Sequence, residues 1–544
     1  MSTIVTLDLP QGKIMGEKVI LSHEKLYYKF FGIPYAKPPV GSLRFQNPQP
    51  LEHFPKELLD CTKQPNSSLQ FNAFTKEVTG SEDCLYLNVY SPDVTSENKF
   101  PVIVYIHGGG FMTGYGNRHI LYPKFLIEEN VILVTVNYRL GAFGFLSLPD
   151  GGISGNYGLK DQQLALKWIQ ENITSFNGDP KNVTLFGQSA GAASAHFHFL
   201  CNESRKYFHK LICHSGLATM EWAISQNAQE KAFKLAECLG FTGNAVDTAH
   251  FLQKFENSHE LIASMYKVLS KEERGHFLRL PFGPVIESPN SEKPFITKNP
   301  IDIIKTEQFA ESIPIIMGYT SQEGIMLMAY SSKTVEEIDL DLSCLIPSTI
   351  CEPESHQCKN IVNKVRKFYF NGKSIEDVSK LCEALGDICF VVDFHKTVEL
   401  HNEYQSQSPL YCFKFAYDGK LNFYKVRYKY EHIKGACHGD ELYYLFYPNE
   451  AAEHVQPSEQ DLQMVKTLCK VWTSFSKYGN PTPDKKEKCS ENIDFVWNPL
   501  SKLENKKFSF DCLEIDNKFA IVKDPDGERV EFWKQLLFET KRNY

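Results

Sequence analysis

Residues 183–200 read V-T-L-F-G-Q-S-A-G-A-A-S-A-H-F-H-F-L, and what this run can form decides the fold. Val183, Thr184, Leu185 and Phe186 are apolar or β-branched, the composition of a short buried strand. The run stops at Gly187-Gln188-Ser189-Ala190-Gly191, and small, then apolar residues follow, as in an inward-facing helix. A strand, a serine between glycines and a helix together make the sharp turn that exposes a reactive hydroxyl above a sheet. The glycines leave space where a Cβ would crowd that turn. The helix start aims backbone N–H groups and a positive dipole end at negative charge developing beside Ser189. Alone, the pentapeptide is a short pattern and needs partners elsewhere.

Outward from this run, strands are expected at 12–21, 26–33, 101–106, 131–138, 211–213, 313–319 and 411–417. Helical periodicity marks 161–173, 225–268 and 462–475, while 334–380 is polar and partly helical. Strands alternating with helices imply an α/β protein with a large, mainly parallel central β-sheet flanked by helices. The early strands predict a small N-terminal sheet, and 225–268 and 334–380 read as helical insertions. With no repeat and no low-complexity linker, residues 1–544 are read as one domain. A last helix over 528–541 carries an apolar stripe of Val530, Trp533, Leu537 and Phe538, expected to dock on the core.

Hydrophobic residues make up 42% of the chain, enough for a large core, and the net charge of −8 offers nothing to nucleic acid or an anionic membrane surface. The longest apolar runs are strand-sized, so no membrane span is expected. Residues 1–18 lack a charged segment followed by an apolar one, and the 15 cysteines are odd in number and scattered. Both features suit reduced thiols and a cytoplasmic location. Cys344, Cys351 and Cys358 recur every seven residues, match no zinc spacing, and predict a loop with free thiols. No metal and no cofactor is expected.

Acyl transfer needs a nucleophile, a base, a group that orients the base, and donors for an oxyanion. Residues 101–106 run into His107-Gly108-Gly109-Gly110-Phe111, three glycines at a strand end that bring bare N–H groups close to a bound group. No Lys-Ser or Lys-Thr pair follows, so a phosphate cradle is excluded. Gly109, Gly110 and Ala190 are the expected oxyanion donors. The strand at 313–319 leads into Thr320-Ser321-Gln322-Glu323-Gly324, which puts a carboxylate at a strand's carboxyl end, where open α/β sheets bind ligands. Of the histidines after Glu323, His438 sits in Gly435-Ala436-Cys437-His438-Gly439, a loop whose glycines let an imidazole project; His432 is the reserve. Cys437 is read as a buried thiol.

Together these motifs resemble the type-B carboxylesterase and cholinesterase branch of the α/β-hydrolases. The likeness runs through Phe31-Gly32-Ile33-Pro34-Tyr35-Ala36, Ser81-Glu82-Asp83-Cys84-Leu85-Tyr86-Leu87-Asn88, 107–111, 137–141, 155–162, 187–191 and 435–441, nearly the whole chain. It implies an α/β-hydrolase fold and a serine esterase with the triad Ser189, Glu323 and His438. It also implies an Arg44–Glu82 pair and an acyl pocket lined by Trp222. The implied partners are small-molecule esters, with organophosphates as covalent inhibitors, in a monomer or homodimer. Within the branch the chain looks most like insect α-esterase-type carboxylesterases, implying xenobiotic detoxification. The tryptophan that stacks on choline is replaced by a stretch offering only Phe71 and Phe74, against choline esters. Ser68 stands where secreted members place the disulfide partner of Cys84, with Cys61 upstream, so a bridge between Cys61 and Cys84 stays open. Gln188 replaces the commoner glutamate, a form shared with juvenile hormone esterases.

Overall fold

The computed structural model describes residues 3–22, 25–72, 75–117, 122–270, 273–274, 276–309, 311–347, 350–351, 355–447, 455–483, 493–501 and 508–539. Among these residues thirteen strands form one sheet. Twelve lie on its main path: β1 (Thr3–Leu9), β2 (Gly12–Ser22), β3 (Lys25–Pro34), β4 (Tyr86–Ser91), β5 (Phe100–Ile106), β6 (Ile132–Val136), β7 (Gly178–Gln188), β8 (Lys210–His214), β9 (Ile315–Thr320), β10 (Leu410–Phe415), β11 (Asp511–Ile515) and β12 (Phe519–Lys523). Their spatial order is β1-β2-β3-β4-β6-β5-β7-β8-β9-β10-β11-β12, and short Leu58–Asp60 pairs with β2. The pairs from β6 to β11 are all parallel. The first four strands pair antiparallel and continue the same sheet. A separate two-stranded sheet joins Gln70–Asn72 to Glu77–Thr79.

The parallel strands alternate faces with the period of two that a pleated ribbon imposes. Leu185, Leu211 and Cys213 point into one core, with Ala193 and Phe197 of α2 (Ala190–Leu200) and Leu166 of α1 (Tyr157–Asn172). Phe186, Ile212, Phe413 and Phe415 point into the other, against Val465, Leu468, Trp472 and Phe475 of a long helix, Glu459–Tyr478. Burial of both faces explains why these strands read as continuous apolar runs. The chain visits β6 on one side of β5 and then β7 on the other. The order therefore reverses between β5 and β7, and a crevice opens at their carboxyl ends, where His107 and Ser189 follow.

Several expectations change. The 225–268 region is three helices, Ala228–Cys238, Ala245–Lys254 and Ser258–Met265. Cys344, Cys351 and Cys358 are buried, Cys344 on a 3-10 turn and Cys358 on helix His356–Phe370, so they line the interior of an insertion and not a loop surface. No metal-holding group occurs among the described residues. The C-terminal helix is Gly527–Glu539: Val530 and Trp533 are buried but Phe538 is 83% exposed, because it falls off the docking stripe. Lys541 and Phe74 lie outside the described residues. Arg44 meets Glu82 through two hydrogen bonds of 2.8 and 2.6 Å. Cys61 and Cys84 are both free and buried, and Ser68 donates to Tyr138 O instead.

Besides His438, six of the described histidines are buried: His107, His196, His198, His214, His395 and His401. Burial holds His107, His395 and His401 down to about 4, His198 and His214 down to about 3, and His196 well below its ordinary value. They fold neutral, whereas the unfolded chain protonates them below about pH 6.5. Their contribution to stability is therefore present above that pH and is lost as pH falls through it toward the folded values. Nitrogen-15 spectra of histidine-labelled protein test this directly. All six rings are expected to keep neutral signals from pH 7 to pH 5; any of them titrating in that range contradicts the account.

Candidate active site

Strand β7 enters a turn that only glycine-flanked sequence permits. A Cβ on Gly187 would stand 2.1 Å from Gly191 O, and one on Gly191 would stand 2.1 Å from Ile106 O. Ser189 takes φ 58° and ψ −128°, a conformation that L residues rarely adopt. The turn is held because Ser189 N donates to His214 O at 2.8 Å and Ser189 O accepts from Ala193 N at 2.9 Å. Ser189 is partly exposed while Gln188 and Ala190 on either side are buried. As the first residue of α2, Ala190 has an N–H with no helical partner.

The glycine run after β5 lies against this turn. A Cβ on Gly108 would stand 2.8 Å from Ser189 Cβ and 2.6 Å from Gln188 O, so only glycine allows the approach. Gly109 and Gly110 have φ of 110° and 60°, left-handed backbone that turns the chain back toward Ser189. The loop is closed by Met112 and Thr113 N–H groups donating to Gly109 O at 3.1 and 3.0 Å. The loop that carries Gly109 and Gly110 thus starts against the serine turn, whose helix start offers the Ala190 amide.

Glu323 follows β9 and opens α3 (Gly324–Tyr330). It is 1% exposed, and its oxygens divide their work. Oε1 accepts from Ser215 Oγ at 2.6 Å and from Thr320 N at 2.7 Å, while Oε2 meets His438 Nδ1 at 2.5 Å. A carboxylate only accepts, so the proton of His438 sits on Nδ1 and Nε2 presents a lone pair. That Nε2 is buried and has no hydrogen-bond partner among the described residues. The histidine loop is pinned to the glutamate loop by Gln322 N donating to Ala436 O at 2.9 Å. Asp440, buried, accepts from the backbone N–H groups of Cys437 and Tyr424, at 2.8 Å each. The loop also borders the serine turn, with Gln188 Nε2 3.4 Å from where a Cβ on Gly439 would lie. The structure thus brings Glu323 to His438, while His432 is exposed and stacks on Tyr430. Burial drives the Cys437 thiol well up, which leaves it unreactive.

Sequence reasoning missed a second layer. Ser215, which carries the hydroxyl on Glu323, takes φ 53° and donates its N–H to Gly318 O, the same ladder extension that Ser189 makes one strand away. Behind it, His214 Nε2 accepts from Trp472 Nε1 at 2.9 Å, so Nδ1 holds the proton and faces Glu441 Oε1 at 3.2 Å. Burial, then the charge of Glu323, pushes Glu441 up to about 8, and burial pushes His214 down to about 3, so both groups are biased toward their neutral forms. The sequence signal for Ser215 is a serine just past a parallel strand and followed by Gly216. Trp222 stands near Phe111 and Phe390, ring centroids 6.3 and 5.9 Å away, and Phe390 in turn lies 4.9 Å from the His438 ring. An apolar wall thus leads from Trp222 to His438. Cβ-sized additions at Gly110 would reach Leu280 Cδ2 at 3.0 Å, which places Leu280 over the glycine loop.

Fold and site together define an α/β-hydrolase. A profile of the Carboxylesterase family matches residues 2–533, and the chain belongs to that family. It is 33% identical to "Juvenile hormone esterase" of Tribolium castaneum, over 97% of this chain and 93% of that one. It is 30% identical to "Esterase B1" of Culex pipiens, over 98% of each. The crystal structure of juvenile hormone esterase from Manduca sexta, with OTFP covalently attached, superposes with a TM-score of 0.83 at 28% identity, covering 98% of this chain and 99% of that one. This protein is accordingly a carboxylic ester hydrolase.

The glycine loop gives a direct test. A methyl on Gly109 would lie 2.2 Å from Thr113 O, so Gly109→Ala must displace the loop. Losing one oxyanion donor lowers kcat roughly 10²–10³-fold. The expected outcome is a kcat loss of that size with KM changed far less; kcat within threefold of wild type, roughly 0.7 kcal/mol, contradicts the role.

Proposed function

We propose that Ser189 is the nucleophile of a two-step ester hydrolysis. His438 Nε2 takes the serine proton as Oγ attacks the carbonyl carbon. The N–H groups of Gly109, Gly110 and Ala190 receive the oxyanion, and His438 returns the proton to the departing alcohol. Water, activated by the same imidazole, then releases the acid. Glu323 holds the imidazole in the Nδ1–H tautomer and steadies the imidazolium, and Ser215 and Thr320 keep that carboxylate from turning. The observation that carries the reading is the 2.5 Å Glu323–His438 contact, which leaves Nε2 unpartnered on a loop whose Gly439 borders Gln188 of the serine turn.

The substrates are proposed to be hydrophobic carboxylic esters, including xenobiotic ones, with the acyl part against Trp222, Phe111 and Phe390. Ser189 Oγ would attack the phosphorus of an organophosphate in the same way and displace its leaving group, and the phosphorylated serine would persist, so organophosphates would act as covalent inhibitors. Free, buried cysteines support reduced thiols and a cytoplasmic protein. A second reading, juvenile hormone hydrolysis, is favoured by Gln188 and by the likeness to two proteins of that name. Competition between that hormone's ester and a short aryl ester separates the two.

Pre-steady-state hydrolysis of a nitrophenyl ester tests the mechanism. The expected result is a burst equal to the enzyme concentration, absent in Ser189→Ala. Equal activity in both proteins would overturn it. Slow turnover after the burst would mark a scavenger and not a hydrolytic detoxifier.

A further inference from the structure

Between the helices Val378–Gly386 and Val392–Tyr404, residues Asp387–Val391 form a π-helical turn, closed by Val392 N donating to Asp387 O. Such turns widen a helix locally and cluster at functional sites. This one has two working sides. On the inner side Phe390 packs at 4.9 Å on the His438 ring, and Cys389 O accepts from Trp222 Nε1 at 2.9 Å. A Cβ on Gly386, just before the turn, would stand 3.3 Å from Glu323 Cβ. The turn therefore touches the histidine, the glutamate and the acyl wall at once.

On the outer side Asp387 is fully buried. Its Oδ2 accepts from Tyr369 OH at 2.6 Å, and Arg529 Nε stands 3.1 Å from it. Tyr369 is itself oriented by Trp533 Nε1, which donates to its hydroxyl at 2.8 Å. Arg529 also meets Glu383 and Asp526 at 3.2 and 2.9 Å, tying the C-terminal helix to the turn. Asp387 Oδ1 has no partner among the described residues, an arrangement that packing alone does not call for. Nothing in the ester chemistry uses these groups.

We infer that Asp387, held by Tyr369 and Arg529, is a positioning residue that sets acyl specificity: it fixes the register of the π-turn and, through it, the wall formed by Phe390 and Trp222. The inference rests on the esterase reading above. Without the anchor the turn can relax to α-helical geometry. Cys389 O then rejoins the helix ladder, Trp222 loses its acceptor, and Phe390 moves off His438. The wall opens, and longer acyl groups gain over acetyl.

The test uses nitrophenyl acetate, butyrate and hexanoate with wild type, Asp387→Asn and Tyr369→Phe, the last removing a single hydroxyl. A wall of this kind discriminates about 10–200-fold per methylene. The hexanoate-to-acetate ratio of kcat/KM is expected to rise about tenfold in Asp387→Asn and less in Tyr369→Phe, with preference among acetates of different alcohols unchanged. If Asp387→Asn does not fold, the Tyr369→Phe ratio decides. An unchanged ratio in an active enzyme, whatever happens to Tm, overturns the inference and leaves the esterase reading standing. A wild type inert toward all three esters overturns both.

Discussion

The structure depends on the close approach of three strand ends that no side chain may obstruct. Cβ atoms on Gly108, Gly187, Gly191 or Gly216 would meet neighbouring backbone at 2.0–2.6 Å. Bare backbone there lets β5, β7 and β8 converge at the point where the strand order reverses. The convergence forces Ser189 into a conformation that costs about 1–3 kcal/mol. That cost is offset by the sheet ladder running on through Ser189 N and by the complete burial of α2. The exposed turn that presents Ser189 is thus the product of packing as much as of local sequence.

The second constraint is the shared carboxylate. Glu323 is buried, and a buried charge must be saturated with donors. Ser215, Thr320 and His438 each supply one, from just past β8, from β9 and from the loop at 435–439. The imidazole is therefore fixed by elements far apart in sequence, and its proton is confined to Nδ1. Asp440 and Glu441, two and three residues after His438, are spent on the loop backbone and on His214.

Much of this was legible in the chain. Residues 183–186 read as a strand because both sheet faces are covered, and the pentapeptide reads as a turn because glycine spacing reports missing Cβ atoms. His438 stood out over His432 because flanking glycines mark a loop that carries a side chain inward. Ser215 and Glu441 were not legible as parts of the site, since their roles arise from contacts across 108 and 227 residues of sequence. Nor was the π-turn, whose residues Asp387-Ile388-Cys389-Phe390-Val391 look like ordinary helix. β11 and β12 were missed because short strands near the chain end lack the long apolar runs of the centre. Phe538 was misplaced because helical periodicity names a stripe without saying where the stripe ends.

The central claim is that Glu323 and His438 make Ser189 reactive. The most direct measurement is the rate at which a fluorophosphonate modifies the protein, with the modified peptide identified by mass spectrometry, in wild type and in Glu323→Gln. The account predicts one adduct, on Ser189, forming in wild type roughly 10³–10⁴ times faster than in the variant, the scale on which losing the orienting carboxylate acts. An adduct on another residue, or equal rates in the two proteins, would contradict it.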